Sequence, residues 1–338
     1  MTVIGMLHTR KDPVNVKKAY ACAAVSKMEG VEFFYFSFGT VNMETNKING
    51  WNYEKGKWIQ KQRDLPDVII NSKSPKNEKQ THIWKYLKSR CLFTSNSVGN
   101  KVNVYQKIIE GKQFARYVIP FYILNKGEEI FTHFQDFKKI VIKPIKGCGG
   151  RGILFLEKNT PSQFVVINGN KNETLEKNEL ILYLNHLLLT SRYMIQPYIK
   201  SSTKEGLAYD LRLHVQKNGN GKWETTLIYP RISANRRLIS NISSGGFRGE
   251  LVQFLIDEFG DEYFNMKKLL EHFSIRFSQH FETLYNKKFD ELGIDIGIDE
   301  NQKLWIYEVN WRPGSKHREL EVAKKLIQYA VYLAKTNN

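Results

Sequence analysis

A chain of 338 residues that is 41% apolar and 25% charged, with nine prolines and no low-complexity run, is excluded from the disordered, collagen-like and disulfide-scaffold classes. Its length predicts two or three packed lobes rather than one core. Lysine and arginine outnumber aspartate and glutamate by 51 to 34, a net charge of +17, which favours polyanions. That charge is spread along the sequence without an arginine-rich arm, zinc-finger spacing or aromatic RNA-binding signature, so it reads as a solvated basic surface with no nucleic-acid partner.

The opening MTVIGMLHTRKDP lacks the charged, apolar and small-residue order of a signal peptide. VIGML (3–7), a helix-permissive NVKKAYACAAVSKM and VEFFYFSF (31–38) predict strand, helix, strand, the start of an α/β layer. VNMETNKINGWNYEKGKWIQ alternates polar and apolar residues around two hairpin-turn signals, Asn49-Gly50 and Lys55-Gly56. DVIIN (67–71), a helix near 77–88 and CLFTSN complete a first lobe over residues 1–98.

The second lobe is assigned to 99–200: a helix in KVNVYQKIIEGKQFA, a short helix in EEIFTHFQDF, strands in KKIVIKPI, ILFLEK and FVVING, a helix in TLEKNELILYLNHLLL and a strand in YMIQPYI. The run LILYLNHLLL is too short and too polar to span a bilayer, and no membrane partner is expected. The third lobe, 201–338, opens with two strands around an Asn-Gly-Asn-Gly turn in YDLRLHVQKNGNGKWETTLIYPRI. Helices near 248–258 and 264–285, the strand pair ELGIDIGIDENQKLWIYEVN and a closing helix follow. The three cysteines, Cys22, Cys91 and Cys148, show no pairing or ligand spacing, which predicts a reducing, cytoplasmic setting.

VIKPIKGCGGRGI (141–153) spells G-x-G-x-x-G, but it leads into a strand, not the helix that a dinucleotide site requires. A kinase lid is excluded as well, because Lys143 precedes the loop and neither H-R-D nor D-F-G occurs. What remains is a glycine hairpin with a lysine at its entrance, whose backbone N–H groups at Gly147, Gly149 and Gly150 can cover a polyphosphate. Polyphosphate chemistry calls for a divalent metal. Asp295, Glu308 and Asn310 are the candidate ligands: 308 and 310 share one face of a strand, Asp295 stands on the preceding antiparallel strand, and all three are hard oxygen donors suited to Mg²⁺.

Together these residues resemble the ATP-grasp superfamily over most of the chain, most closely its YheC/YheD branch of endospore coat-associated proteins. The resemblance implies an α/β (α+β) ATP-grasp fold with a Rossmann-like N-terminal lobe, a central lobe and a C-terminal lobe. It places Lys101 and Lys143 on ATP, and Gln196, Pro197, Tyr198 and Ile199 around the adenine. The D-[IL]-R strand matches Asp210, Leu211 and Arg212; Arg231 reaches the phosphates, and an SN-x-x-x-GG loop matches Ser240, Asn241, Gly245 and Gly246. The D…E-x-N metal set matches Asp295, Glu308 and Asn310, for Mg²⁺ with Mn²⁺ as an alternative.

The implied activity is an ATP-dependent carboxylate–amine or carboxylate–thiol ligase acting through an acyl phosphate. Catalysis would rest on positioning and charge neutralisation by Mg²⁺, Lys143, Arg231 and Arg312, on a peptide or protein carboxylate. Arg312 stands where the family often has a small residue, so it is expected to bind an anionic substrate group. The alternatives are a nucleotide-binding spore-coat protein with little catalysis and a phosphotransferase to a hydroxyl; a homodimer is a further expectation of the resemblance.

Overall fold

The computed structural model describes residues 1–147, 150–234 and 246–337, and its strands form three sheets. The first holds β1 (Val3–His8), β2 (Glu32–Ser37), β3 (Val41–Asn42), β4 (Lys47–Glu54), β5 (Lys57–Asp64), β6 (Val68–Asn71) and β7 (Leu92–Phe93). Their order is β3-β4-β2-β1-β6-β7, with β5 paired to β4. Strands β1, β2, β6 and β7 run parallel, and their nearly unbroken apolar runs suit strands covered on both faces. The chain leaves β1 towards β2 through α1 (Lys17–Met28) and later returns to β6 on the other side, leaving for β7 through α2 (Glu78–Lys88). The crevice between the C-terminal ends of β1 and β6 is therefore the switch point of this sheet, where α/β layers hold ligands.

Lys55 and Gly56 both adopt positive φ (47° and 80°), closing the β4–β5 hairpin with the twist such turns need. Asn49-Gly50 is not a turn: β4 runs straight through it, with Gly50 opposite Lys61. The glycine is there for packing, since a Cβ at Gly50 would stand 2.5 Å from the Phe34 ring.

The second sheet contains β8 (Tyr122–Leu124), β9 (Lys139–Pro144), β10 (Leu154–Lys158), β11 (Gln163–Asn168), β12 (Lys171–Glu176) and β13 (Tyr193–Pro197), in the order β12-β11-β10-β9-β13-β8. Helices α4 (Ile130–Asp136) and α5 (Lys177–Leu188) cover one face through Ile130, Phe134, Leu180 and Leu184. Strand β12 occupies the segment expected to begin a helix; Lys171–Glu176 pair with β11 as a polar edge strand, and the helix starts only after Glu176.

The third sheet, ordered β16-β15-β14-β17-β18, contains β14 (Tyr209–Lys217), β15 (Trp223–Ile232), β16 (Phe247–Arg248), β17 (Glu291–Ile298) and β18 (Leu304–Asn310). Its core joins Leu211, Leu213, Ile294 and Ile296 to α3 (Lys101–Glu110), α6 (Leu251–Phe259) and the Phe273, Phe277 and Phe281 face of α7 (Tyr263–Thr283). The last helix, α8 (Glu319–Thr336), packs instead with α1 and β1 in a separate core. Among the described residues, no helix is long and apolar enough to cross a membrane.

One irregularity positions the site. Asp295 pairs with Glu308 and Ile296 with Ile306, so Tyr307 is the extra residue of a β-bulge in β18. Consecutive strand residues normally face opposite sides; the bulge lets Tyr307 and Glu308 line the same cavity. The Tyr307 ring is accommodated by Gly297, whose Cβ, if present, would lie 2.1 Å from the Tyr307 hydroxyl. Gly297→Ala is expected to cost about 1–3 kcal/mol in urea unfolding through overpacking. Gly39→Ala, where an added Cβ meets nothing within 4 Å, is expected to stay within about 0.5 kcal/mol of wild type.

Candidate active site

The second and third sheets face each other across a cavity that opens to solvent, with about 860 Å³ of empty space counting its open mouth. One wall is apolar: Val141 on β9, Phe155 on β10, Ile119, and Pro197 to Ile199 at the end of β13. The Tyr198 ring meets Phe155 edge-on at 5.9 Å, the Lys139 ammonium lies 4.9 Å from its centroid, and its backbone N–H is fixed on the Lys139 carbonyl. This slot is apolar and bordered by two aromatic rings set edge to face. The opposite wall carries charge: Asp210, Arg231, Asp295 and Glu308, with Lys101 and Lys143 above them.

Sheet register explains that wall. Asp210 on β14 is the cross-strand neighbour of Arg231 on β15, Arg212 that of Asp295 on β17, and Asp295 that of Glu308 on β18. Opposite charges thus alternate across the strands. Arg231 donates through Nε to Asp210 at 2.5 Å and reaches the Asp295 carboxylate at 3.0 Å. Arg212 grips the same carboxylate with both Nε and Nη2. Burial opposes the charge on Asp295, but Arg212 and Arg231 outweigh it and hold the carboxyl below the ordinary carboxylate range. Arg231 is likewise opposed by burial, and Asp295 and Asp210 raise its pKa above the usual arginine value.

Lys143 is the costly cation. Burial, opposed by Glu308 and reinforced by Lys101, pushes its ammonium down to about 8. It lies 5.5 Å from the centroid of the Tyr307 ring. Lys101, the first residue of α3, stands 3.3 Å from Glu308 and donates at 2.8 Å to the carbonyl of Gly147 in the β9–β10 hairpin, tying the hairpin to the metal-candidate strand. Beneath that tie a second chamber opens, lined by Lys101, Gly147, Glu308, Asn310 and Trp311. Glu308 is common to both chambers.

The structure therefore brings Lys101, Lys143, Gly150, Pro197, Tyr198, Ile199, Arg231, Asp295 and Glu308 to one cavity, and Gly147 and Asn310 to its neighbour. Two expected nucleotide contacts stand behind the wall. Gln196 is fully buried and its side-chain amide donates to the Ile119 carbonyl, while the guanidinium of Arg212 is committed to Asp295. Arg312 lies outside both chambers, bonded through Nη2 to Ser74 of the N-terminal lobe at 2.5 Å. Gly149 and Asn241 lie outside the described residues, as do Ser240 and Gly245.

Sequence reasoning named Asp210 only as part of the D-[IL]-R match and gave it no role in the site, and it missed Tyr307 and Phe155. Asp210 was within reach, because period two puts it on the face of Arg212 and the Asn-Gly-Asn-Gly hairpin sets it opposite Arg231. Tyr307 was not, since a bulge has no signal in an alternating strand. Among the described residues, no group of three or more His, Cys, Asp or Glu side chains could hold a metal. Glu308 and Asn310 share the second chamber, whereas Asp295 lines only the first cavity with its carboxylate held by Arg212 and Arg231, so Asp295 could join them as a third hard oxygen donor for Mg²⁺ only by giving up one of those arginine contacts.

Comparison with known proteins gives the same architecture. Endospore coat-associated protein YheD of Bacillus subtilis is 25% identical over 354 aligned positions, covering 98% of this chain and 77% of YheD. The ATP-grasp ligase PsnB, solved with a phosphomimetic variant of its minimal precursor, Mg and ADP, superposes with a TM-score of 0.57 at 10% identity, covering 99% of this chain and 98% of PsnB. A RiPP-associated ATP-grasp ligase of Chryseobacterium gregarium, solved with ADP and a leader and core peptide, gives 0.51 at 12% identity over 100% and 98% of the two chains. Residues 90–333 match the YheC/D-like ATP-grasp family, and with nearly three-quarters of its length inside that match, the chain belongs to this family.

Proposed function

We propose that the chain is an ATP- and Mg²⁺-dependent ligase that activates a carboxylate and joins it to an amine, forming a C–N bond. The observation that carries this reading is the single cavity in which an apolar slot (Val141, Phe155, Tyr198) meets two lysines, Arg231, Asp295 and Glu308. The slot suits adenine and the cations suit its phosphates. Asp295, Glu308 and Asn310 would hold Mg²⁺, which supplies charge neutralisation at the phosphate oxygens.

The reaction balances without a protein nucleophile. A carboxylate oxygen of the acceptor attacks the γ-phosphorus, the bond from that phosphorus to the β-bridging oxygen breaks, and ADP leaves. The amine nitrogen then attacks the acyl carbon, the C–O bond to phosphate breaks, and the nitrogen loses its proton as inorganic phosphate departs. Lys143 and Arg231 stabilise the charge on the transferring group by position alone. Lys101, which donates to the Gly147 carbonyl at the edge of the cavity, would exchange that contact for a phosphate oxygen. Ligases of this fold solved with peptides support a peptide or protein carboxylate as substrate.

A second reading, a nucleotide-binding coat-associated protein with little turnover, is favoured by the name of the YheD relative. The two separate in an assay of ADP release with Mg²⁺ against a panel of amino acids, peptides and acidic metabolites. Ligase activity requires release that depends on an added acceptor and falls by about 100-fold or more in Glu308→Ala at unchanged thermal stability. Acceptor-independent turnover, or nucleotide binding without turnover, returns the second reading.

Lys143 gives an independent test through pH. Its folded pKa lies below its unfolded value of 10.5, so the unfolded chain binds the extra proton between about 8 and 10.5 and stability rises with pH there. The cost of burying the charge is fully present below pH 8 and is on the order of 3 kcal/mol. Lys143→Met should therefore be more stable than wild type at pH 7 without nucleotide, with the difference shrinking by pH 10 in urea unfolding. The same variant should bind the nonhydrolysable ATP analogue AMP-PNP with Mg²⁺ about tenfold more weakly or worse.

A further inference from the structure

A second cluster of cations lies outside the cavity, at the switch point of the N-terminal sheet. His8 ends β1, Arg10 follows it, Lys73, Ser74 and Lys76 follow β6, and Arg312 crosses from the end of β18 to bond Ser74. Burial, with Lys73, Arg10, Arg312 and Lys76 adding to it, holds the His8 imidazole at about 4. Its Nδ1 accepts from the backbone N–H of Arg10, so the proton of the neutral ring sits on Nε2 as a donor. Lys73 is pushed below its ordinary range by burial and by Arg312, Arg10, Lys18 and Lys76.

Among the described residues no carboxylate forms an ion pair with Arg10, Lys73, Lys76 or Arg312. The two acids that Arg312 feels are Asp290 and Glu291. Glu291 is already shared by Lys18 and His214, each at 3.1 Å. Most telling, Nη1 of Arg312 is buried without any hydrogen-bond partner, as is the Ser72 hydroxyl at the same strand end. An unanswered buried guanidinium nitrogen costs free energy, and an arriving oxyanion would remove that cost.

We propose that this crevice binds a carboxylate of the acceptor other than the one that is activated, so that the acceptor carries at least two carboxylates. The inference rests on the ligase reading and names the substrate class for it. Nucleotide phosphates are already met by Lys101, Lys143 and Arg231, which line the cavity as His8, Lys73 and Arg312 do not. Arg312 follows Asn310 by two residues, so at most about 7 Å of backbone separates the chamber beside the metal-candidate residues from the crevice. One small acceptor, or two neighbouring acidic groups of a peptide, spans that distance. The planar fork of Arg312, braced on the Trp311 ring at 3.7 Å and on Ser74, matches a carboxylate, while Lys73 and the Nε2–H of His8 supply further donors.

The test is calorimetric titration of the full chain with two probes at fixed ionic strength, citrate and the N-acetyl triglutamate amide. Each is run with and without AMP-PNP and Mg²⁺. Binding of either probe, weakened about tenfold by Lys73→Gln and unchanged by Lys171→Gln on the distant β11–β12 hairpin, supports the crevice; which probe binds identifies a free polycarboxylate or an acidic peptide. Equal weakening by both variants would show diffuse charge attraction and overturn it, as would no binding of either probe or indifference to Lys73→Gln. AMP-PNP binding is read separately: its loss would remove the ligase reading while the nucleotide-free titrations still decide the crevice.

Discussion

Everything at the centre of this molecule depends on one carboxylate held by two guanidiniums. Asp295 is buried, and three strands meet at it: β14 through Arg212, β15 through Arg231 and its own β17. Leaving such a charge unpaired in the interior costs about 3–5 kcal/mol, so each partner is obligatory once the others are present. The cross-strand register puts Glu308 beside the group on the open side. The wall is charged, rigid and aimed into the cavity before any ligand arrives, which is the kind of preorganisation that electrostatic catalysis uses.

Stability and function pull in opposite directions around that wall. Lys143 is kept in a place where its charge is disfavoured, and Lys101 is shared between a carboxylate and the hairpin that covers the cavity. Phosphate oxygens are the chemistry that would relieve the first and compete for the second. On the other side of β18, Arg312 is turned away from the same chamber and towards the N-terminal sheet. Four residues of chain after Glu308 thus connect the cavity between the second and third sheets to the cationic cluster at the ends of β1 and β6.

Much of the site was legible because its logic is local. Glu308 and Asn310 share a chamber because strand residues two apart share a face, and Lys143 was marked by standing at the mouth of a glycine hairpin. The closing pair of strands and the long helix α7 followed from periodicity. Residues whose direction is set by tertiary packing were less legible. Gln196 and Arg212 sit in the expected strands but turn to the Ile119 carbonyl and to Asp295, and neither choice is written in its own segment. Asn49-Gly50 has the composition of a turn, yet the demand of Phe34 for space overrides it. Edge strand β12 was lost because Lys171–Glu176 has almost no buried residue to announce a strand.

The packing of α8 sets an order on how the molecule comes into being. Val322, Leu326, Ile327, Ala330 and Leu333 complete the core that contains Ile4, Ala19, Cys22 and Val25. Those two groups are made some 300 residues apart, and at cellular elongation rates roughly 15–60 s passes between them. Of the three lobes, the one made earliest is therefore the last to close. Through that interval the apolar face of α1 has no intramolecular cover from α8, and the exposed surface is a candidate for chaperone binding.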